Sequence, residues 1–289
     1  MNGEKRLRGR QLRRRGMYLL PSLFTSINIA AGYYAITQSL QGSALEPHHF
    51  DHAALAIGFA IPFDALDGRV ARMTNTASDF GRELDSLADV ITFGVAPSIL
   101  AYAWGFRSLP MLGIDPVLRQ KLIEFGAFIS FVFLICGASR LARFNISHDP
   151  KPTNPGRPGR KYFVGMPIPA AAGVVAAVVH FTSGNPLFNI WLSLVWLALV
   201  AMTGFLMVSK WRFWSGKEIN LANRHPFQLI VLVGAALALI VQFSNVALIV
   251  IALVYMFSGI VARTAYSWRR RRYQRVATLP SNPESSHSS

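Results

Sequence analysis

Four aspartates in this chain stand where carboxylates are costly, inside two successive apolar segments and at i, i+3 and i, i+4 spacings. The first segment reads Phe63-Asp64-Ala65-Leu66-Asp67-Gly68-Arg69-Val70-Ala71-Arg72; the second reads Gly81-Arg82-Glu83-Leu84-Asp85-Ser86-Leu87-Ala88-Asp89. A carboxylate at this depth of a membrane span is expensive unless something compensates it. At about 100° per residue, Asp64, Asp67 and Ala71 share one helical face. Asp85 and Asp89 share a face of the next helix, with Gly81 one turn before them. A short connection makes the two helices antiparallel neighbours, so both acidic faces can converge on one point. Four negative charges there call for cations, and an all-oxygen donor set favours Mg2+ or Mn2+. Two such ions can stabilise the attacking and leaving oxygens of an in-line phosphoryl displacement. Gly68, Ala71 and Gly81 leave room for a bulky ligand such as a nucleotide, and Arg72 could contact a diphosphate. One or two acids would read as helix caps or partners of Arg69, Arg72 and Arg82; four in this pattern favour a metal centre. Asp79 and Glu83 fit solvated first-turn acids.

The elements that must position these groups are long apolar runs. Of the 289 residues 52% are hydrophobic and only 15% charged, and the mean hydropathy is +0.34. Met17 to Leu40 carries no charge, and Ile219 to Val261 carries only Arg224 and His225. Runs of about 18 or more apolar residues read as membrane spans. About eight can be placed, at roughly 18–40, 53–74, 84–105, 122–144, 163–183, 187–209, 226–243 and 246–264. The expected fold class is therefore all-α, a polytopic membrane helical bundle. A basic N-terminal arm (1–16) precedes one transmembrane domain (17–265), and a basic then disordered tail (266–289) follows it. The apolar run after the arm is too long for a signal-peptide core and reads as a retained first span.

Lysine and arginine crowd one set of loops. Lys5 to Arg15, Lys151 to Lys161, Lys210 to Arg224 and Arg269 to Arg275 lie on one side, against Arg107, Arg119 and Lys121 on the other. The positive-inside rule places both termini, and with them the aspartates, in the cytoplasm. It also explains the net charge of +15 through anionic headgroups, without nucleic acid. Cys136 is the sole cysteine, so an intrachain disulfide is excluded. His148, His180 and His225 show no metal-ligand spacing.

At the aspartates the sequence resembles the CDP-alcohol phosphotransferase family, whose signature is Asp-x2-Asp-Gly-x2-Ala-Arg, a spacer, then Gly-x3-Asp-x3-Asp. Asp64, Asp67, Gly68, Ala71, Arg72, Gly81, Asp85 and Asp89 meet every position. The resemblance implies transfer of a phosphoryl-linked lipid from a CDP-alcohol to a second alcohol, with release of CMP. It also implies two divalent metals on Asp64, Asp67, Asp85 and Asp89, with Asp89 as general base on the acceptor. Gly68, Ala71, Arg72 and Gly81 would line the CDP site. Thr25 and Asn28, in a stretch that resembles the family's Pro-Asn-x-x-Thr-x-x-Asn apart from Ser22, would add nucleotide contacts.

The signature leaves the acceptor open. Ile91 to Pro97, Arg140 to Asn145, Phe163 to Ala172 and Leu206 to Ser209, with Lys217 downstream, resemble the branch whose acceptor is serine. The implied substrates are then CDP-diacylglycerol and L-serine. The implied state is a homodimer in a bacterial cytoplasmic membrane, with the active site facing the cytoplasm. Arg140 and Arg143 lie one turn apart at a span end, and a guanidinium can grip serine's carboxylate bidentately; snorkelling to lipid phosphate is the competing role. Asn145 and Lys217 complete the candidate acceptor set. Two alternatives stand beside this reading. The same chemistry could use glycerol 3-phosphate, inositol phosphate or choline, or the acids could line the cation pathway of a transporter.

Overall fold

The computed structural model describes residues 23–74, 79–110, 113–146, 152–153, 162–215 and 242–277; the side chains of residues 67, 68, 70–74 and 269–277 lie outside the description. The N-terminal arm, Lys217, most of the expected seventh span (226–243) and residues 278–289 therefore fall outside the described residues. Seven helices are described: α1 (23–41), α2 (His48–Thr74), α3 (Asp79–Arg107), α4 (Pro116–Ile146), α5 (Ile168–Phe181), α6 (Ile190–Val208) and α7 (Ser244–Ala277). Each falls on an expected span. By length and composition α3, α4, α6 and the Ser244–Trp268 part of α7 can cross a membrane. The last helix runs on to Ala277, into the segment expected as a tail.

The fifth span departs from expectation. It is shorter, beginning at Ile168, and Tyr162–Val164 ahead of it form a strand, β1. β1 pairs antiparallel with β2 (Arg212–Trp214), Phe163 opposite Phe213. The all-α expectation is thus corrected by one small ribbon. Gly165 is the physical cause: its φ of +78° takes the chain out of helical geometry, and Pro167 then admits the helix. A Cβ at Gly165 would stand 2.5 Å from the Met207 carbonyl and 2.8 Å from that of Ser209, so a side chain is excluded twice over.

α5 is the centre of the bundle, packed between α2 and α7. Ala171, Ala172, Val174, Val175, Ala176, Ala177 and Val179 are all buried on its 14 residues, as befits a helix apolar all round. Small residues recur where helices meet: Ala53, Ala54 and Ala60 on α2, and Ala96, Ala101 and Ala103 on α3. In a bilayer lipid is as apolar as leucine, so close backbone approach supplies the packing. The larger side chains face outward, among them Phe125, Phe128 and Phe131 on α4 and Val250, Val254 and Phe257 on α7.

Away from the aspartates, a polar chain ties three helix ends together. His180, closing α5, sets Nδ1 2.6 Å from an Asp51 oxygen on α2, and Nε2 2.9 Å from the Ser244 hydroxyl on α7. That hydroxyl donates to Asn245 Oδ1 (3.2 Å), and Asn245 donates to Ser183 Oγ (3.4 Å). These contacts tie the C-terminal end of α5 to the N-terminal ends of α2 and α7. At the same end Arg107 donates to the carbonyls of Ser39, Leu40 and Gly42, a cation on the C-terminal dipole of α1.

Candidate active site

α2 and α3 meet as the acid spacing requires. Asp64, Asp85 and Asp89, all half-buried, bring carboxylate oxygens within 4.8 Å of one another. At that separation two full charges repel by about 3 to 4 kcal/mol at an effective dielectric near 20. One oxygen of Asp89 is buried and has no hydrogen-bond partner among the described residues. A buried carboxyl oxygen without a partner, beside two further carboxylates, is a donor set that fits a hard divalent cation. Asp67 lies on the same helix one turn on, but its side chain, with those of Gly68, Ala71 and Arg72, is outside the described residues.

Local structure sharpens the site. Pro62 sits inside α2, two residues before Asp64, and cannot donate to the Gly58 carbonyl. On the other side of the cluster, α3 changes pitch immediately after Asp89. Residues Val90–Val95 form a π-helical turn, in which the Ala96 amide reaches back five residues to Ile91. Pro97, just beyond, lacks the donor a tighter helix would use. Such turns rotate the preceding residues relative to the rest of a helix and concentrate at functional sites. The turn is held from α1, where Thr92 Oγ1 donates to the Asn28 carbonyl at 2.9 Å. A Cβ on Gly32 would collide with Thr92, so the contact depends on glycine.

Thr25 and Asn28 are both buried on α1, and the Asn28 side-chain amide has neither a donor nor an acceptor partner among the described residues. Gly81 lies in the first turns of α3, near Arg82, which pairs with Asp79. Asp79 is thus engaged outside the cluster.

The two arginines differ. Arg143 spends its guanidinium on backbone, donating to Val208 at 2.8 Å and to Val164, Met207 and Ser209 at 3.4–3.5 Å. It caps the C-terminal carbonyls of α6 and fastens β1 to them. Arg140 is 8% exposed and its Nε has no hydrogen-bond partner among the described residues. It lies within electrostatic range of Asp89 and against the Phe144 ring, 6.0 Å from the centroid. Asn145 donates to Ser86 Oγ at 3.0 Å, linking the end of α4 to the residue after Asp85. Sequence reasoning did not find the π turn, Thr92 or Tyr255, a residue of α7 near Arg140. Only Pro97 and Gly94 signalled the first; Thr92 lay within the Ile91–Pro97 stretch singled out above but with no role assigned to it, and nothing local signalled Tyr255.

A helical bundle with four described helices long and apolar enough to cross a membrane, three carboxylates that could hold a divalent cation and a buried guanidinium near them suits chemistry on a phosphate at a membrane. Residues 18–202 match the CDP-alcohol phosphatidyltransferase family, and the chain belongs to that family. Among its relatives is the CDP-diacylglycerol--serine O-phosphatidyltransferase of Helicobacter pylori, 36% identical over 251 residues, which are 85% of this chain and 91% of the relative. The enzyme of that name from Bacillus subtilis is 36% identical over 199 residues, 68% of this chain and 90% of the relative. That from Saccharomyces cerevisiae is 35% identical over 166 residues, 57% and 55%.

Proposed function

We propose that this integral membrane enzyme transfers the phosphatidyl group of CDP-diacylglycerol to the hydroxyl of L-serine, forming phosphatidylserine and CMP. The observation that carries the reading is the convergence of Asp64, Asp85 and Asp89 around an orphaned Asp89 oxygen, in a chain similar to enzymes named for that reaction. Asp64, Asp67, Asp85 and Asp89 are the residues that would hold two Mg2+ or Mn2+ ions, which when bound neutralise charge on the diphosphate and on departing CMP.

The chain's own groups then divide the work. Gly68, Ala71, Arg72 and Gly81 give the nucleotide and its diphosphate a place beside the acids. Asn28, buried with an unmatched amide, and Thr25 contact the CDP moiety from α1. Arg140 takes the serine carboxylate; Arg143, whose donors meet carbonyls, holds β1 and the end of α6 in place, and Asn145 and Lys217 are the further acceptor-binding residues. Asp89 removes the hydroxyl proton as the serine oxygen bonds to phosphorus and the bond to the CMP oxygen breaks. The chain runs as eight spans with both termini and the active site cytoplasmic, in a bacterial cytoplasmic membrane, and works as a homodimer.

Direct displacement is the course this site supports, since Ser86 is the only hydroxyl between Asp85 and Asp89 and it accepts a hydrogen bond from Asn145. A chiral thiophosphate analogue of the donor should give inversion at phosphorus, and labelled CMP should not exchange into CDP-diacylglycerol without serine. Retention, or rapid serine-independent exchange, would show a covalent intermediate and reject the direct step.

A further inference from the structure

A lipid donor must bring its phosphorus to the aspartates while its acyl chains stay in hydrocarbon. The bundle therefore needs an apolar path that starts beside the acids and runs into the bilayer. Such a path lies between α1 and α2, where Ala30, Ala31, Leu55 and Ala56 line an open groove of about 470 Å3. Ile27 and Phe59 line its end toward the aspartates, and each adjoins the site. Ile27 precedes Asn28, whose buried side-chain amide has no partner among the described residues. Phe59 stacks on Phe63 with ring centroids 4.4 Å apart, and Phe63 meets Phe24 of α1 at 6.4 Å. Asp64 follows Phe63 in the chain, so this ladder of rings carries the apolar surface up to the acids.

The depth of the groove fits the same ligand. At 1.5 Å per residue, Phe59 to His52 on α2 lie about 8 to 18 Å from Asp64 along the helix. One leaflet of a hydrocarbon core about 30 Å thick is about 15 Å deep. The groove thus covers the depth that the far half of an acyl chain reaches when its phosphate is at the aspartates. Tyr34 and His52, which carry the polar groups of the lining, stand at the end away from the acids. The alanines let a flexible chain lie close to both backbones, and close contact is what favours one position over another when the competing solvent is lipid. We propose that the groove between α1 and α2 binds one acyl chain of the CDP-diacylglycerol donor and thereby aligns its phosphorus with the acids. This rests on the donor and acceptor proposed above.

The test follows CMP release by full-length protein in detergent micelles with L-serine. The two donors are CDP-dioleoylglycerol and CDP-dioctanoylglycerol, whose chains are too short to occupy most of the groove. Ala30→Phe fills the groove from an exposed position and leaves the buried core alone; Ala30→Leu is the milder filling. Val254→Phe, on the outward face of α7, controls for added bulk at the lipid surface. In Ala30→Phe the ratio of kcat/KM for the long-chain donor to that for the short-chain donor should fall about fivefold, the scale of a handful of lost dispersion contacts. Ala30→Leu should shift it less in the same direction, and Val254→Phe should keep the wild-type ratio. The serine KM should stay within about twofold of wild type in all three. An unchanged ratio, or an equal change for both donors, would overturn the proposal; the oligomeric state of Ala30→Phe in detergent would then tell a second copy in the groove from bulk lipid. If wild type releases no CMP from either donor, the reading above fails, and the assignment of the groove falls with it.

Discussion

Asp89 combines the properties that decide this site: it is half-buried, it faces two other carboxylates, and one of its oxygens is buried without a hydrogen-bond partner among the described residues. A general base contributes about 10²–10⁴-fold, so Asp89→Asn should lose at least that much in CMP release. Asp64→Asn and Asp85→Asn should be essentially inactive, whereas Asp79→Asn, whose partner is Arg82, should match wild type. Activity should disappear in chelator and return with Mn2+ or Mg2+; full turnover in chelator would remove the metal centre from the account. The arginines separate by a different measurement. Arg140→Lys keeps the charge and loses the planar fork, so it should raise the serine KM while leaving the donor KM alone. Arg143→Lys cannot reproduce the bonds to four carbonyls. It should lower stability by about 1–3 kcal/mol, read as thermal unfolding in detergent. The acids were legible in the sequence because helical spacing alone sets their face. The different hydrogen bonding of Arg140 and Arg143 was not, because it depends on where α6 ends, in a segment far downstream.

At the scale of elements, apolar run length located every described helix, since the bilayer fixes how much chain a span needs. Two features escaped that logic. The strand at Tyr162–Val164 needs a partner at Arg212–Trp214, and apolar residues in a short strand read equally well as helix. The π turn at Val90–Val95 spans too few residues for periodicity to reveal it. Both can be probed. Gly165→Ala must fit a side chain into a left-handed turn beside two carbonyls, and should reduce folded yield and thermal stability markedly. A stability equal to wild type would show that the turn at Gly165 is not as described. Thr92→Val keeps the shape but removes the bond to Asn28. It should lower turnover with little change in unfolding temperature if the turn's role is to aim Asp89, and unchanged turnover would assign the bond to packing alone.

Across the whole molecule, chemistry and restraint sit at opposite ends of the bundle. Asp64 lies toward one end of α2, while Asp51, near the other end, enters the tether through His180 to Ser244. The proposed orientation, with the aspartate end in the cytoplasm, can be tested by a labelling experiment. With Cys136, the sole cysteine, replaced by alanine, Leu45→Cys should react with an impermeant maleimide on intact cells. Lys210→Cys should react only after permeabilisation; the reverse pattern would invert the orientation. The central claim is the identity of the acceptor, and incorporation of labelled L-serine into lipid tests it most directly. Purified full-length protein given CDP-diacylglycerol, Mn2+ and labelled serine should form phosphatidylserine and CMP in equal amounts. CMP formed with glycerol 3-phosphate, inositol phosphate or choline while serine stays in the aqueous phase would contradict it.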